Sequence, residues 1–390
     1  MIPYGKHHID EDDIQAVVNV LRSGALTQGP AVEAFEDAIA KYVGVRYAVA
    51  VSSGTAALHL AALAAGVGPT STLITSPITF VASANAALYA GAKVAFADIE
   101  PNTVNMCPQA LKEVLQRNPD TRAIIPVHFA GLPCDMPAIK VIADQAGASI
   151  IEDAAHALGA RYEDGQRVGC CAFSLMTIFS FHPVKAIAAG EGGMITTNDV
   201  VTYRKLLRLR SHGINKLDDY IQLPERAQTN GVSNPWYYEM QELGFHYRIT
   251  DMQCALALSQ FGKLETFIAS RLALVKNYDK AFAAMLNCRP AQTQGRDRSG
   301  HHLYVIRIDF DSIGLSRAQF MNKLKIYGIG SQVHYIPVFT HPFYQNFGYK
   351  LEDFPESFAY YRETLSIPLF YDLSNNQQDF IINKISSFLT

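Results

Sequence analysis

Long apolar runs are missing from this chain. No stretch of about 18 uninterrupted apolar residues occurs, and the opening MIPYGKHHIDEDDI lacks a charged start followed by an apolar core. A membrane span and a secretory signal are therefore not expected, and the sequence reads as soluble and cytoplasmic. Charge of one sign is missing too: 33 Lys plus Arg stand against 36 Asp plus Glu. That balance creates no field to draw in nucleic acid or an anionic membrane, so neither is an expected partner and any phosphate contact must be local. Cysteine is sparse. The six, at positions 107, 134, 170, 171, 254 and 288, contain no CxxC pair and no His spacing that reads as a metal site, so reduced thiols and no metal are expected. The chain shows no internal repeat, and no GxGxxG follows its first expected strand, which removes the glycine signature of a dinucleotide fold.

What is present points to two lobes. A chain of 390 residues with 49% hydrophobic content can bury a large core. Ile14, Val17, Val18 and Leu21 lie on one helical face behind Asp10, and Pro30 to Tyr42 repeats that pattern with Val32, Phe35 and Ile39. Short apolar runs follow at 47–51, 72–76, 94–98, 123–127 and 149–152, each ended by a Gly, Ser or Pro break and then a helix-like stretch. Strands alternating with helices predict a parallel sheet covered on both faces. Further strands are predicted at 175–181 and 193–197, ahead of a helix over 200–209. The segment from Lys216 to Ser233 is polar and without period, and reads as a loop. In the last third, 304–310 alternates like a half-exposed strand, 316–327 reads as a helix, and a final helix starts near Asn376. The expected division is a large domain over 1–261 and a small α+β domain over 262–390.

In an open parallel sheet a ligand lies beyond the carboxyl ends of the strands. Ser52-Ser53-Gly54-Thr55 follows the first strand and opens a helix; free N–H groups, hydroxyls and the positive end of the dipole suit one phosphate there. Taken alone, the same residues are better explained by an ordinary helix cap through Ser53 or Thr55. Asp153 ends an apolar strand, where a carboxylate must find a partner: a protonated heterocyclic nitrogen, or a basic side chain elsewhere in the chain. Lys185 follows Phe179-Ser180-Phe181-His182-Pro183-Val184 and precedes Gly190-Glu191-Gly192-Gly193. Against an apolar wall its amine becomes a nucleophile toward an aldehyde. An anion cradle, an acid and an amine at one sheet edge meet the three needs of pyridoxal phosphate. Ser180 adds a hydroxyl, and Phe80 either stacks on the ring or fills core.

These motifs, with Thr79-Phe80-Val81 and Glu152-Asp153-Ala154-Ala155-His156, resemble the sugar-aminotransferase family called DegT/DnrJ/EryC1/StrS along nearly the whole chain. The resemblance implies an α/β, pyridoxal-phosphate fold type I of the aspartate-aminotransferase kind: a mostly parallel sheet flanked by helices, plus a smaller C-terminal α+β domain. It implies a homodimer with shared active sites. Lys185 would carry the cofactor as a Schiff base and shuttle protons, Asp153 would meet the pyridine nitrogen, and His156 would lie near the phenolic oxygen. Gly54, Thr55 and Ser180 would hold the phosphate and Phe80 would pack on the ring. The segments Ile2-Pro3-Tyr4-Gly5, Ser23 to Pro30 and Phe181 to Lys185 look most like the pseudaminic-acid branch, whose substrates are a UDP-linked 4-keto-6-deoxy-N-acetylhexosamine and glutamate. By that similarity Tyr4, Ser53, Gly24, Ala25, Leu26, Thr27, Ser331, Gln332, Val333 and His334 would line the sugar-nucleotide pocket. Many members carry Asn within Gly-Tyr-Asn-Tyr-Arg, reaching the partner subunit's phosphate; this chain reads Gly244-Phe245-His246-Tyr247-Arg248, so His246 takes that place. Related sugar dehydratases carry His where this chain has Lys185. A regulatory cofactor-binding protein would show the same binding residues, but no DNA-binding module is appended.

Overall fold

The computed structural model describes residues 1–216 and 220–389. Strands β1 (Tyr47–Val51), β2 (Thr72–Thr75), β3 (Lys93–Phe96), β4 (Thr121–Ile125), β5 (Ser149–Asp153), β6 (Met176–Ser180) and β7 (Gly193–Thr197) form one sheet in the order β1-β7-β6-β5-β4-β2-β3. The pairs β2–β3, β2–β4, β4–β5 and β5–β6 are parallel, whereas β7 runs antiparallel to both β1 and β6. The reversal follows from the connection. Residues 181–192 contain no helix, and a parallel return needs a crossover that such a segment does not supply. The amino end of β7, with Gly190 to Gly193, therefore sits at the same edge as the carboxyl ends of the other six strands.

Alternate residues along each strand feed separate cores, as the two-residue period requires. Ala48, Ala50, Ile74, Ile124 and Ile150 pack on one face with helix α2 (Pro30–Val43). Val49, Val51, Leu73, Ile125, Ile151 and Ile178 pack on the other with helices α3 (Gly54–Ala64) and α4 (Val81–Tyr89). The Ala-rich faces of α3 and α4 let them approach each other and the sheet closely. Helix α1 (Glu11–Ser23) starts at a capping box in which Asp10 accepts from the Asp13 N–H and Asp13 returns the bond. It packs on the helix Asp251–Phe261.

The last third builds a three-stranded antiparallel sheet from Cys288–Pro290, Tyr304–Ile308 and Thr364–Ile367, with its own core of Tyr278, Tyr304, Ile306, Phe320 and Ile381. Tyr304–Ile308 is the central strand and all five residues are buried, not half-exposed as its alternation predicts. The misleading residue is Arg307, which is buried by pairing its Nε with Glu363 at 2.7 Å. The segment predicted to be a loop also differs. Within it Gln228–Thr229 pairs with Val232–Ser233 around Asn230-Gly231, both at positive φ, a two-residue hairpin turn suited to Asn-Gly. Residues 217–219 of that segment lie outside the described residues. Among the described residues no helix is long and apolar enough to cross a membrane, and no cluster of three or more His, Cys, Asp or Glu side chains could hold a metal.

Candidate active site

A cavity of about 730 Å³ opens at the carboxyl edge of the large sheet. Its lining takes in Ser53, Gly54 and Thr55 after β1, Phe80 after β2, Asp153 and His156 at and after β5, and Ser180 and Lys185 at and after β6. Tyr4, Gln332, Val333 and His334 close it from the opposite side. Ser331 is next to this wall without lining it. The loop Gly24 to Thr27 is outside the cavity as well: Thr27 bridges Thr250, the Leu26 carbonyl accepts from the Asp251 N–H at 3.0 Å, and the Gln253 amide reaches the backbone oxygen of the cavity residue Glu191 at 2.8 Å. His246 also lies outside, with Nε2 2.9 Å from the Arg248 guanidinium. An arginine only donates, so Nε2 accepts and the imidazole proton sits on Nδ1.

At one end the cavity is built to take an anion. Ser53 caps α3 by accepting from the Ala56 N–H, so the cap reading and the cavity reading both hold. The Gly54 and Thr55 N–H groups, in the first helical turn, have no acceptor within the helix. A Cβ on Gly54 would stand 2.8 Å from the Ser180 Cβ, so glycine is what keeps the space between α3 and the Ser180 hydroxyl. A Cβ on Gly193 would come within 2.4 Å of the Ser53 carbonyl, which explains a glycine where β7 begins against the helix start.

Asp153 is buried and makes no ion pair with a basic side chain among the described residues. Its Oδ2 accepts from the Ser83 hydroxyl at 2.6 Å and its Oδ1 from the Ala155 N–H at 3.1 Å. The carboxylate is thus aimed into the cavity by α4 and by the turn that follows β5. Its neighbour Glu152 points to the opposite face of the strand. There it accepts from His128 Nε2 at 2.8 Å, Tyr162 at 2.5 Å, Ser174 at 2.5 Å and Thr177 at 3.1 Å. His128 donates through Nε2 because its Nδ1 accepts the Cys134 N–H. Burial raises the Glu152 carboxyl, but these donors outweigh it and hold the group below its ordinary value.

Burial brings the Lys185 amine down to about 8, partly opposed by the charge of Asp153. Roughly a tenth of such an amine is unprotonated at pH 7, against well under a thousandth for an exposed lysine. Phe80 is 58% exposed, so it lines the mouth instead of filling core. His156 accepts the Ala130 N–H at Nδ1, 3.3 Å, and faces the Tyr335 hydroxyl with Nε2 at 3.1 Å. Burial and the nearby Lys185 push it well below its ordinary value, so it is neutral with its proton on Nε2. The same two causes bring His334 down to about 3.

Ser83, Tyr335 and His302 are cavity residues that the sequence motifs do not mark. Ser83 carries a faint signal, a hydroxyl in the first turn of an Ala-rich helix, four residues after Thr79, whose hydroxyl it meets at 2.8 Å. The other two come from segments more than 140 residues beyond Asp153; Tyr335 directly follows the expected pocket residue His334, whereas nothing local announces His302.

The donors fit pyridoxal phosphate: an anion cradle with no side chain in its way, a fixed carboxylate and a desolvated amine face one cavity. Comparison with known proteins gives the same answer. The sequence profile of the DegT/DnrJ/EryC1/StrS aminotransferase family matches residues 7–386. The spore coat polysaccharide biosynthesis protein SpsC of Bacillus subtilis is 39% identical over 98% of this chain and 96% of its own. The UDP-4-amino-4,6-dideoxy-N-acetyl-beta-L-altrosamine transaminase of Campylobacter jejuni is 35% identical over 100% of this chain and 98% of its own. The putative sugar aminotransferase Spr1654 of Streptococcus pneumoniae, solved in its PMP-form, superposes with a TM-score of 0.89 at 28% identity, covering 100% of this chain and 99% of that one. Its PLP-form superposes with a TM-score of 0.88 at 27% identity, over 100% and 98%. The chain therefore belongs to the DegT/DnrJ/EryC1/StrS aminotransferase family and is a pyridoxal-phosphate-dependent sugar aminotransferase.

Proposed function

We propose that the chain transfers the amino group of glutamate to the C4 keto group of a nucleotide-linked 4-keto-6-deoxy sugar of the UDP-4-keto-6-deoxy-N-acetyl-L-altrosamine type, the pseudaminic-acid branch. The reading is carried by 35% identity, along the full chain, to a transaminase whose name specifies that amino sugar. The cofactor, when bound, supplies an aldehyde for amine exchange and a ring that withdraws electrons.

The chain's own groups supply the rest. Gly54, Thr55 and Ser180 bind the phosphate through N–H and hydroxyl donors. Asp153, fixed by Ser83, keeps a proton on the ring nitrogen, and Phe80 packs on the ring face. Lys185, once displaced by an incoming amine, takes the α-proton of the donor and returns a proton to the sugar carbon in the second half, so one nitrogen serves both directions. His156, neutral and pinned by Ala130 and by its Nε2–H on the Tyr335 hydroxyl, would lie near the ring's phenolic oxygen. Tyr4, Ser53 and Gln332 to His334 contact the sugar nucleotide. We assign residues 1–261 and 262–390 to the large and small domains.

The same reading makes the active unit a homodimer. Trp236, Tyr238, Met240 and Leu243 are 73%, 59%, 61% and 76% exposed beside the His246 segment, an apolar surface that a second copy covers. His246 and the Gly24 to Thr27 loop, both outside this chain's own cavity, then act at the partner's site and at the rim. Incubation with glutamate and a panel of UDP- and dTDP-4-keto-6-deoxy sugars, followed by product identification, tests the assignment. Amination of the UDP-altrosamine-type ketone is the expected result. Turnover only with another member of the panel transfers the assignment to that sugar, an outcome to which the 39% identity with SpsC gives weight. Lys185→Ala is expected to lower kcat by at least about a thousandfold and to abolish the visible absorption of the lysine-bound cofactor.

A further inference from the structure

Of the three buried imidazoles that line the cavity, His156, His302 and His334, only that of His302 makes no ring hydrogen bond to protein among the described residues. It is only 5% exposed, it lines the cavity, and its Nδ1 is sealed from solvent without a partner. His156, by contrast, is bonded at both ring nitrogens and His334 is bonded to Ser366. The ring of His302 is held firmly. It packs on His156 with centroids 4.4 Å apart and planes tilted by 41°, the His302 backbone N–H donates to the Ala130 carbonyl, and the His302 carbonyl accepts from Arg271 at 3.2 Å. Ala130 thus orients both histidines, through its N–H to one and its C=O to the other.

Burial, with His156, Lys185 and Arg271 around it, keeps this imidazole neutral, so it carries a single ring proton. A sealed N–H without an acceptor costs more than a sealed lone pair, so the proton avoids Nδ1 and sits on Nε2. The nitrogen left to the cavity is therefore a donor in want of an acceptor. Behind it Arg271 is buried, pairs with no carboxylate among the described residues, and has an unpartnered Nε. Lys185 lies on the same cavity. The permanently charged side chains that bear on His302 are the cations Lys185 and Arg271, and not the cavity carboxylates Asp153 and Glu191, which favours a carboxylate over an uncharged acceptor.

We propose that His302 Nε2 donates to a carboxylate of the dicarboxylic amino donor and so sets amino-donor specificity, an assignment that rests on the glutamate reading above. The rest of the cavity supports it. No arginine lines it, although a dicarboxylate must enter it in the first half-reaction. The second half-reaction brings a sugar ring into the same space. A buried arginine aimed inward would then be left without a counter-charge, whereas a neutral imidazole can turn its donor to a sugar hydroxyl.

The test uses cofactor-loaded protein and compares wild type with His302→Phe, which keeps an aromatic ring against His156 and deletes the donor, and His302→Gln, which keeps an N–H donor. His302→Leu replaces the Phe variant if that protein fails to fold. Titration with glutamate alone, followed by the visible absorption of the cofactor, is expected to show a 10- to 100-fold higher half-saturating concentration in His302→Phe, with the limiting rate and starting spectrum unchanged and most of the loss recovered in His302→Gln. Half-saturation by the keto-sugar should move less than about threefold. Succinate binding by calorimetry should weaken in parallel with glutamate. Equal saturation of wild type and His302→Phe by glutamate and succinate, or equal shifts for glutamate and keto-sugar, would overturn the assignment. A wild-type protein that answers another amino acid but not glutamate sinks the glutamate reading, and the succinate titration then decides the carboxylate role of His302.

Discussion

The two walls of the cavity are built differently. The first, from Ser53 to Lys185, hangs on the ends of adjacent strands of one sheet and carries the amine, the carboxylate and the phosphate donors. The second, from His302 and Tyr4 to Tyr335, comes from remote segments and presents neutral aromatic groups; burial depresses its histidines and raises its tyrosines. The first wall holds the one group that stays through the cycle, and its charges are fixed by backbone geometry. The second faces substrates that alternate between a charged amino acid and a sugar, and it carries no permanent charge. Charge is placed where the ligand is constant.

The largest expected effect lies on the first wall. Asp153→Asn should lower kcat by roughly 100- to 1,000-fold with the cofactor still bound, because the ring nitrogen loses the anion that keeps it protonated. Single-turnover kinetics with glutamate measures it. Ser83→Ala, which only releases the carboxylate from a 2.6 Å bond, should cost about tenfold in the same assay. If the two variants were equally impaired, aim and not charge would be what Asp153 contributes, and the contrast between the walls would weaken.

The first wall was also the one legible from chain order, for the same physical reason, whereas Tyr4 and Gln332 to His334 of the second were named only through the family resemblance. A strand ends, a turn follows, and chain order alone puts Thr55, Asp153 and Lys185 at one edge of the sheet. Strand β7 shows the limit. Its apolar run was readable over Gly193–Thr197, but its direction depends on a twelve-residue connection that sequence period does not describe. The second wall depends on tertiary closure. His302 and Tyr335 reach the site because the Ala130 turn, at φ 54°, and the segment after Ile329 fold back onto the strand ends. Arg307 misled for a related reason: a paired arginine in a central strand looks like an outward-facing one until its partner Glu363 is placed.

A middle-sized effect separates the two faces of one strand. Glu152 and Asp153 are adjacent, yet one faces a closed network and the other the cavity. Glu152→Gln presents an amide N–H₂ to two of the four donors and should destabilise the fold by about 2–4 kcal/mol while leaving kcat within about threefold. The pH dependence has a definite sign. The folded carboxyl titrates below its ordinary value, so its stabilisation is complete above an unfolded value of about 4.3 and is lost as pH falls through the lower folded value. Urea midpoints between pH 7 and pH 3 should therefore converge for wild type and variant at the acid end. Curves that stay parallel would mean that the Glu152 charge contributes nothing.

The smallest effect tests whether the second wall is as dispensable to the cofactor as its neutrality implies. Tyr335→Phe removes the oxygen that meets His156 Nε2 but leaves the Ala130 bond to Nδ1 in place. One of two anchors remains and no charge is exposed. The expected loss in kcat is no more than about tenfold, with little change in the cofactor's absorption. His156 is neutral across the working range, so the variant should also keep the wild-type pH profile. A loss as large as that of Asp153→Asn, or a pH profile shifted to a new value, would show that Tyr335 tunes the protonation of the site through His156. The second wall would then be part of the charge machinery, and the division between a fixed charged side and an adaptable neutral side would have to be drawn through His156 instead of around it.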